Sequence, residues 1–218
     1  MDQEPIRFVS MSKILPLFVS QVYQSPLVSS GDTRLRRELK HEAYQIADFD
    51  EEGQRWSALN YPGGFTSYGS MDRLHQFSST FGELKKKIDR HVAHFVRSLE
   101  MDIDPTDLQM ETCWINIMPE AVVHTMHIHP LSVISGTYYV DTPKGSGALK
   151  FEDPRMECFM ASPPRKKNAR LENQRFHQIQ PRAGDLILFE SWMRHEVTPN
   201  QSTKDRISIS FNYDWMRR

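Results

Sequence analysis

Apolar and polar residues repeat at two different periods along this chain, and the change falls near residue 106. Upstream the repeat is helical. Phe81, Leu84, Ile88, Val92, Phe95 and Leu99 recur at steps of three and four, which places them on one face of a helix over 80–99. Thr80 and Glu83 fit a capping box at its start, and Lys85, Lys86, Lys87 and Arg90 fall on the solvated side. A second helix is predicted over 32–48, capped by Asp32 or Thr33, with Leu35, Leu39, Tyr44 and Ile46 as a partial stripe. Residues 14–23 read as a strand, and the early Pro16 makes it an edge strand. The stretch WSALNYPGGFTSYGS (56–70) reads as a loop with short extended pieces.

Downstream the period is two. LQMETCWINIM (108–118) is rich in β-formers, and SGTYYV (135–140) and GALKF (147–151) flank a turn. DLILF (185–189) is apolar throughout, as for a strand covered on both faces. RISISFNY (206–213) alternates cleanly: Ile207, Ile209 and Phe211 face one way, Arg206, Ser208 and Ser210 the other. Five or more short strands with turn signals predict a mainly β jelly roll or barrel with flanking helices. The expected organisation is one compact unit, with residues 1–105 as an N-terminal helical and extended layer packed on a β core of residues 106–218. The basic segment SPPRKKNAR (162–170) reads as a solvated loop.

Composition narrows the function. The 218 residues carry a formal net charge of −1, so no global field recruits nucleic acid or an anionic membrane. No apolar run approaches the roughly 18 residues of a membrane span. Cys113 and Cys158 are too few for a disulfide framework, so free thiols in a cytoplasmic, reducing compartment are expected.

The candidate chemistry begins at HTMHIHP (124–130). Residues two apart on a strand share a face, so His127 and His129 project together, and His124 points away if the strand is unbroken. His195, in SWMRHEV, is the candidate third metal ligand. His41, His75, His91, His94 and His177 read as structural or surface residues. Eleven residues after His195, Arg206 sits on the polar face of its strand with Ser208. An arginine facing into a barrel needs an anion. That anion is either a ligand carboxylate or an internal Asp or Glu.

The ordered blocks WINI, HIHPLSVISGTYYV, GALKFEDPR, GDLILFESWMRHEV and RISISFN resemble the 2-oxoglutarate- and iron(II)-dependent dioxygenases, and within them a bacterial and phage group. The segment 50–70 is similar too. The resemblance implies a double-stranded β-helix, Fe(II), 2-oxoglutarate as cosubstrate, O2, and hydroxylation with release of succinate and CO2. It implies His127 and His195 as metal ligands. His129 stands where most members carry Asp or Glu. His129 itself is the favoured third ligand, with Asp153 or Glu152 as the alternative. Three neutral imidazoles leave the metal at +2, where a carboxylate would leave +1. The resemblance further implies Arg206 and Ser208 on the distal carboxylate of 2-oxoglutarate, with Tyr139 as a donor to it and Asn116 as a donor or ligand-orienting group. The 60–70 loop reads either as a lid with Tyr61, Phe65 and Tyr68 on the substrate, or as a packed support. The expected partner is a small molecule or protein side chain, with a homodimer as one option and no membrane or nucleic acid. Competing readings are a cupin-like three-histidine dioxygenase or isomerase without cosubstrate, and a metal- or ligand-binding protein without turnover.

Overall fold

In the computed structural model, which describes residues 13–27, 33–155 and 160–216, ten strands form two antiparallel sheets. In chain order the elements are β1 (Val22–Pro26), α1 (Arg34–Phe49), α2 (Glu51–Asn60), β2 (Phe65–Thr66), α3 (Leu74–Phe77) and α4 (Ser79–Ser98). There follow β3 (Leu108–Met118), β4 (His124–His127), β5 (Ile134–Asp141), β6 (Leu149–Glu152), β7 (Phe176–Ile179), β8 (Asp185–Glu190), β9 (His195–Val197) and β10 (Arg206–Trp215). The larger sheet runs β1-β8-β5-β10-β3-β2 and the smaller β4-β9-β6-β7. From β3 to β10 the chain passes back and forth between the two, which makes the core a double-stranded β-helix. The segment after SGTYYV is therefore a crossover between sheets, since β5 and β6 do not pair.

The two-residue period sorts side chains into two cores. Outward from the larger sheet, Ile207, Ile209, Phe211, Leu186, Leu188 and Ile115 meet Leu35 and Leu39 of α1 and Leu84, Ile88, Val92 and Phe95 of α4. Inward, Ile187, Phe189, Tyr139 and Met118 meet Leu149, Phe151 and Val197 of the smaller sheet. DLILF is continuous because β8 feeds both cores. Burying each of these large apolar side chains contributes roughly 1.5–3 kcal/mol before ordering entropy is subtracted.

Helix ends and the N-terminal strand depart from the sequence reading. α4 is capped by Ser78, whose hydroxyl accepts from the Thr80 and Phe81 amides. Thr80 instead donates its hydroxyl to Glu42 of α1. On α1 the buried stripe is Leu35, Leu39, Ala43 and Ile46, while Tyr44 is turned to Asp205 at 2.8 Å. Thr33 makes no capping bond, and Asp32 lies outside the described residues. The apolar run before Val22 forms no strand. β-structure begins only at Val22, where the chain reaches β8; it is an edge strand as expected, but Pro16 lies outside it and is not the reason. Residues 56–60 belong to α2, which starts at Asp50, whose carboxylate accepts from the Gly53 amide at 2.9 Å.

The 61–70 loop that follows is tied to the sheet. β2 pairs with β3, the Ser67 amide donates to Ile115 O, and the Ile115 amide donates to Ser67 Oγ. Gly64 lies so close to the Tyr61 ring that a Cβ would meet it at 2.4 Å. This is the packed reading of the loop, with Tyr61 buried beneath it. Cys113 is a free thiol under the helical layer, and burial pushes its pKa up to about 12; Cys158 lies outside the described residues. Among the described residues no helix is long and apolar enough to cross a membrane.

Candidate metal centre

β4 and β9 place three imidazoles around one point. His127 pairs with His195 across the two strands, and their ring centroids are 4.3 Å apart. His129, just past β4, is held by its amide donating to Ser191 O at 3.0 Å, and its ring lies 5.2 Å from that of His127 and 5.1 Å from that of His195. One nitrogen from each ring lies within 4.8 Å of the other two. Three atoms so spaced share a point no more than about 2.8 Å from each, against metal–nitrogen bonds of about 2.0–2.1 Å, so small ring movements suffice to close on an ion.

Hydrogen bonds select which nitrogen faces that point. His127 Nδ1 meets Thr125 O at 2.7 Å, His195 Nδ1 meets Met193 O at 2.9 Å, and His129 Nδ1 meets Asn212 Oδ1 at 2.5 Å. Each acceptor requires the proton on Nδ1, which leaves each Nε2 with a free lone pair, the usual outer-shell device at histidine metal sites. Burial, aided by the neighbouring imidazoles, pushes His129 down to about 4 and His195 to about 2, and burial also lowers His127. All three rings are therefore neutral, and so able to ligate, at neutral pH.

The alternative carboxylates are committed elsewhere. Glu152 points away from the inner face that carries Phe151 and pairs with Arg194 at 2.9 Å. Asp153 is gripped by Arg155 through two oxygens, which holds its carboxyl below the usual range. Neither lines the cavity over the imidazoles.

Across that cavity lie Arg206 and Ser208 of β10 and Asn116 of β3, beside Trp114, Thr137, Ser210 and Tyr61. Arg206 is 2% exposed, yet among the described residues no carboxylate pairs with it. Its Nη1 donates to Ser208 Oγ at 3.2 Å, its guanidinium lies 5.1 Å from the centre of the Tyr139 ring, and its Nε has no partner. The buried Tyr139 hydroxyl lies against the Arg206 guanidinium without a well-formed hydrogen bond, Asn116 Oδ1 has no partner, and Asn116 Nδ2 donates to Ser210 Oγ at 3.1 Å. Tyr138 faces the helical core instead. A buried cation with a spare donor, beside a phenol that no acid engages, is suited to an anion. The donor sets on both sides of the cavity thus fit a metal ion and a carboxylate cosubstrate.

Two contributors were not legible in the sequence. His124 does not point away. β4 uses three steps from His124 to His127 where β9 uses two from Val197 to His195, and this bulge turns both histidines inward. Asn212, the next residue on the polar face that begins Arg206, Ser208, Ser210, was visible as inward-facing but not as a partner of His129. Its Oδ1 also accepts from Ser135 Oγ at 2.8 Å, and Ser135 in turn meets Ser191 at 2.7 Å. His177 lies on β7, not in a loop or helix, and is outside the cluster.

Eight core strands wound in this order thus bring three imidazoles at the end of the smaller sheet opposite a buried arginine on the larger. Residues 112–212 match the family model described as "Putative 2OG-Fe(II) oxygenase". No curated protein matches the chain in sequence. Among solved structures, the non-heme alpha-ketoglutarate-dependent epimerase SnoN from nogalamycin biosynthesis is similar at a TM-score of 0.62 and 14% identity, over 89% of this chain and 77% of that one. A prolyl-4-hydroxylase from Pseudomonas putida gives 0.55 and 17%, over 91% and 94%. HygX from Streptomyces hygroscopicus, solved with nickel, 2-oxoglutarate and hygromycin B, gives 0.58 and 14%, over 89% and 83%. At these identities the structures establish the shared fold. The chain is an oxidoreductase of the iron- and 2-oxoglutarate-dependent class, with O2 as the oxidant.

Proposed function

We propose that this protein hydroxylates a C–H bond of a small molecule or protein side chain, with 2-oxoglutarate consumed to succinate and CO2. His127, His129 and His195 hold the iron. Arg206 and Ser208 take the distal carboxylate of the cosubstrate, and Tyr139 and Asn116 line the same end. The observation that carries this reading is the Arg206 guanidinium, buried without a carboxylate on the far wall of the cavity from the three imidazoles. A cupin-like metal enzyme without cosubstrate has no use for it.

The metal, when bound, supplies activation of O2 and oxidation of an unactivated C–H bond. This chain's own residues do the rest. The three Nδ1–H bonds orient each ring so that its lone pair points inward. Arg206 and Ser208 fix one end of the diacid, so that its other end is aimed at the metal by the length of the molecule. Trp114, Phe151 and Phe189, close to the imidazoles, exclude water around them.

The test is anaerobic addition of Fe(II) and 2-oxoglutarate to metal-free protein. A weak visible charge-transfer band is expected, followed by succinate release under air. A protein that takes the metal but shows neither band nor 2-oxoglutarate binding would return the cupin-like reading.

Asn212 gives a second check. Asn212→Leu removes the acceptor that holds the His129 proton, and metal affinity is expected to fall about 10- to 100-fold. The affinity of the remaining metal-loaded protein for 2-oxoglutarate should change little, because Asn212 does not line the cosubstrate end. Equilibrium metal titration reads the first, and calorimetry on metal-saturated protein the second.

A further inference from the structure

We propose that His124 is a cosubstrate-binding residue, donating a hydrogen bond to an anionic oxygen of the ligand that Arg206 holds. This rests on the 2-oxoglutarate reading and extends it to a fourth imidazole that takes no part in the metal cluster.

The argument begins with the backbone. On a regular strand, residues three apart face opposite ways. His124 and His127 are three apart, yet both lie opposite inward-facing residues of β9, Val197 and His195. The extra residue bulges out, and the two rings stack with centroids 4.5 Å apart and planes 17° apart. Bulges cost ladder hydrogen bonds and commonly serve to re-aim a side chain beside an active site. Here the side chain re-aimed is His124.

The surroundings then constrain its role. The ring is packed between His127 and Tyr61, whose centroid lies 5.2 Å away, so its orientation is set before any ligand arrives. Among the described residues neither ring nitrogen makes a hydrogen bond with the protein. The ring shares the cavity wall with Arg206, Ser208 and Asn116. A polar ring that is mostly enclosed, rigidly held and left without a partner must be completed by whatever fills the cavity. An imidazole offers an N–H in either protonation state. Arg206 selects an anion for that space, so the acceptor is an oxygen of the anion. The metal ligands are held on the other side of the stack by their own Nδ1 bonds, which leaves His124 free of that duty.

The experiment compares wild type, His124→Phe and His124→Gln. Phenylalanine keeps the stacking area and removes both nitrogens; glutamine restores an N–H donor. Fe(II) affinity is measured first without cosubstrate. 2-Oxoglutarate is then titrated anaerobically into metal-saturated protein, by calorimetry and by the charge-transfer band. For His124→Phe, 2-oxoglutarate affinity is expected to fall about 10- to 100-fold, with metal affinity within about threefold of wild type. His124→Gln should recover part of the loss. Unchanged 2-oxoglutarate affinity in His124→Phe would overturn the proposal and leave His124 as packing. A parallel loss of metal affinity would also overturn it, because His124 would then act through His127. A wild-type protein that binds metal and no 2-oxoglutarate would remove the underlying reading as well. The two failures are thus told apart in the wild-type titration.

Discussion

Arg206→Met is expected to weaken 2-oxoglutarate binding at least about 100-fold while raising the melting temperature of the metal-free protein. The two effects have one cause. The guanidinium is 2% exposed, and its polar contacts are a serine hydroxyl, a distant thioether and the face of Tyr139. Without a ligand the folded protein carries a buried cation that no carboxylate compensates, at a cost on the order of a few kcal/mol. Methionine fills similar space without charge, so the metal-free fold should gain stability. For a chain of this size each kcal/mol moves the midpoint by about 2–4 °C. With 2-oxoglutarate the sign reverses, because the wild type gains charge-assisted hydrogen bonds that the variant lacks. Melting curves with and without ligand should therefore cross over between the two proteins. A variant that melts much lower without ligand would show that Arg206 has a structural counter-ion, and the anion cradle would be lost.

His127→Ala and His195→Ala are each expected to reduce iron affinity by about a thousandfold or more, since each removes one of the three proposed ligands and leaves an incomplete face. They should differ in stability. His195 is buried, and its ring sits 4.6 Å from that of Phe189 and 5.9 Å from that of Phe151. Its deletion opens a cavity at the joint of the two sheets and costs roughly 2–4 kcal/mol, in the range for large-to-small core changes. His127 is partly exposed, so its deletion should cost the fold much less. Metal titration and denaturant unfolding of the metal-free proteins separate the two effects. Wild-type iron affinity in either variant would exclude that residue as a ligand.

Much of the site was readable because strand geometry is local. The period of two placed Arg206, Ser208 and Ser210 on one face, Tyr139 opposite to Tyr138, and Asn116 with Trp114 and Met118, and the sheets carry these assignments through. His195 stood out as a candidate from its place after the DLILF strand, and the resemblance supplied its role, since no local period links it to His127. The errors are equally specific. The apolar run over 14–21 has strand composition, but no neighbour pairs with it before Val22. The α2 residues 56–60 carry glycine-, serine- and aromatic-rich surroundings, yet the helix is nucleated upstream by Asp50. Thr80 lost its cap role to Ser78 because Glu42, on another helix, engages its hydroxyl.

By itself the amino-acid order determined which side chains face inward along each regular strand and where the main helix stripe lies; that a metal and a diacid were the chemistry to look for came from the resemblance its ordered blocks carry. Tertiary structure alone decided three things. It turned His124 into the cavity, because a bulge exists only relative to a partner strand that lacks it. It set Asn212 against His129, because those residues meet only when β10 and the end of β4 are brought together across the two sheets. And it left Arg206 without a carboxylate, because an ion pair depends on which acids the fold brings near, and here Glu152 and Asp153 were turned toward other arginines.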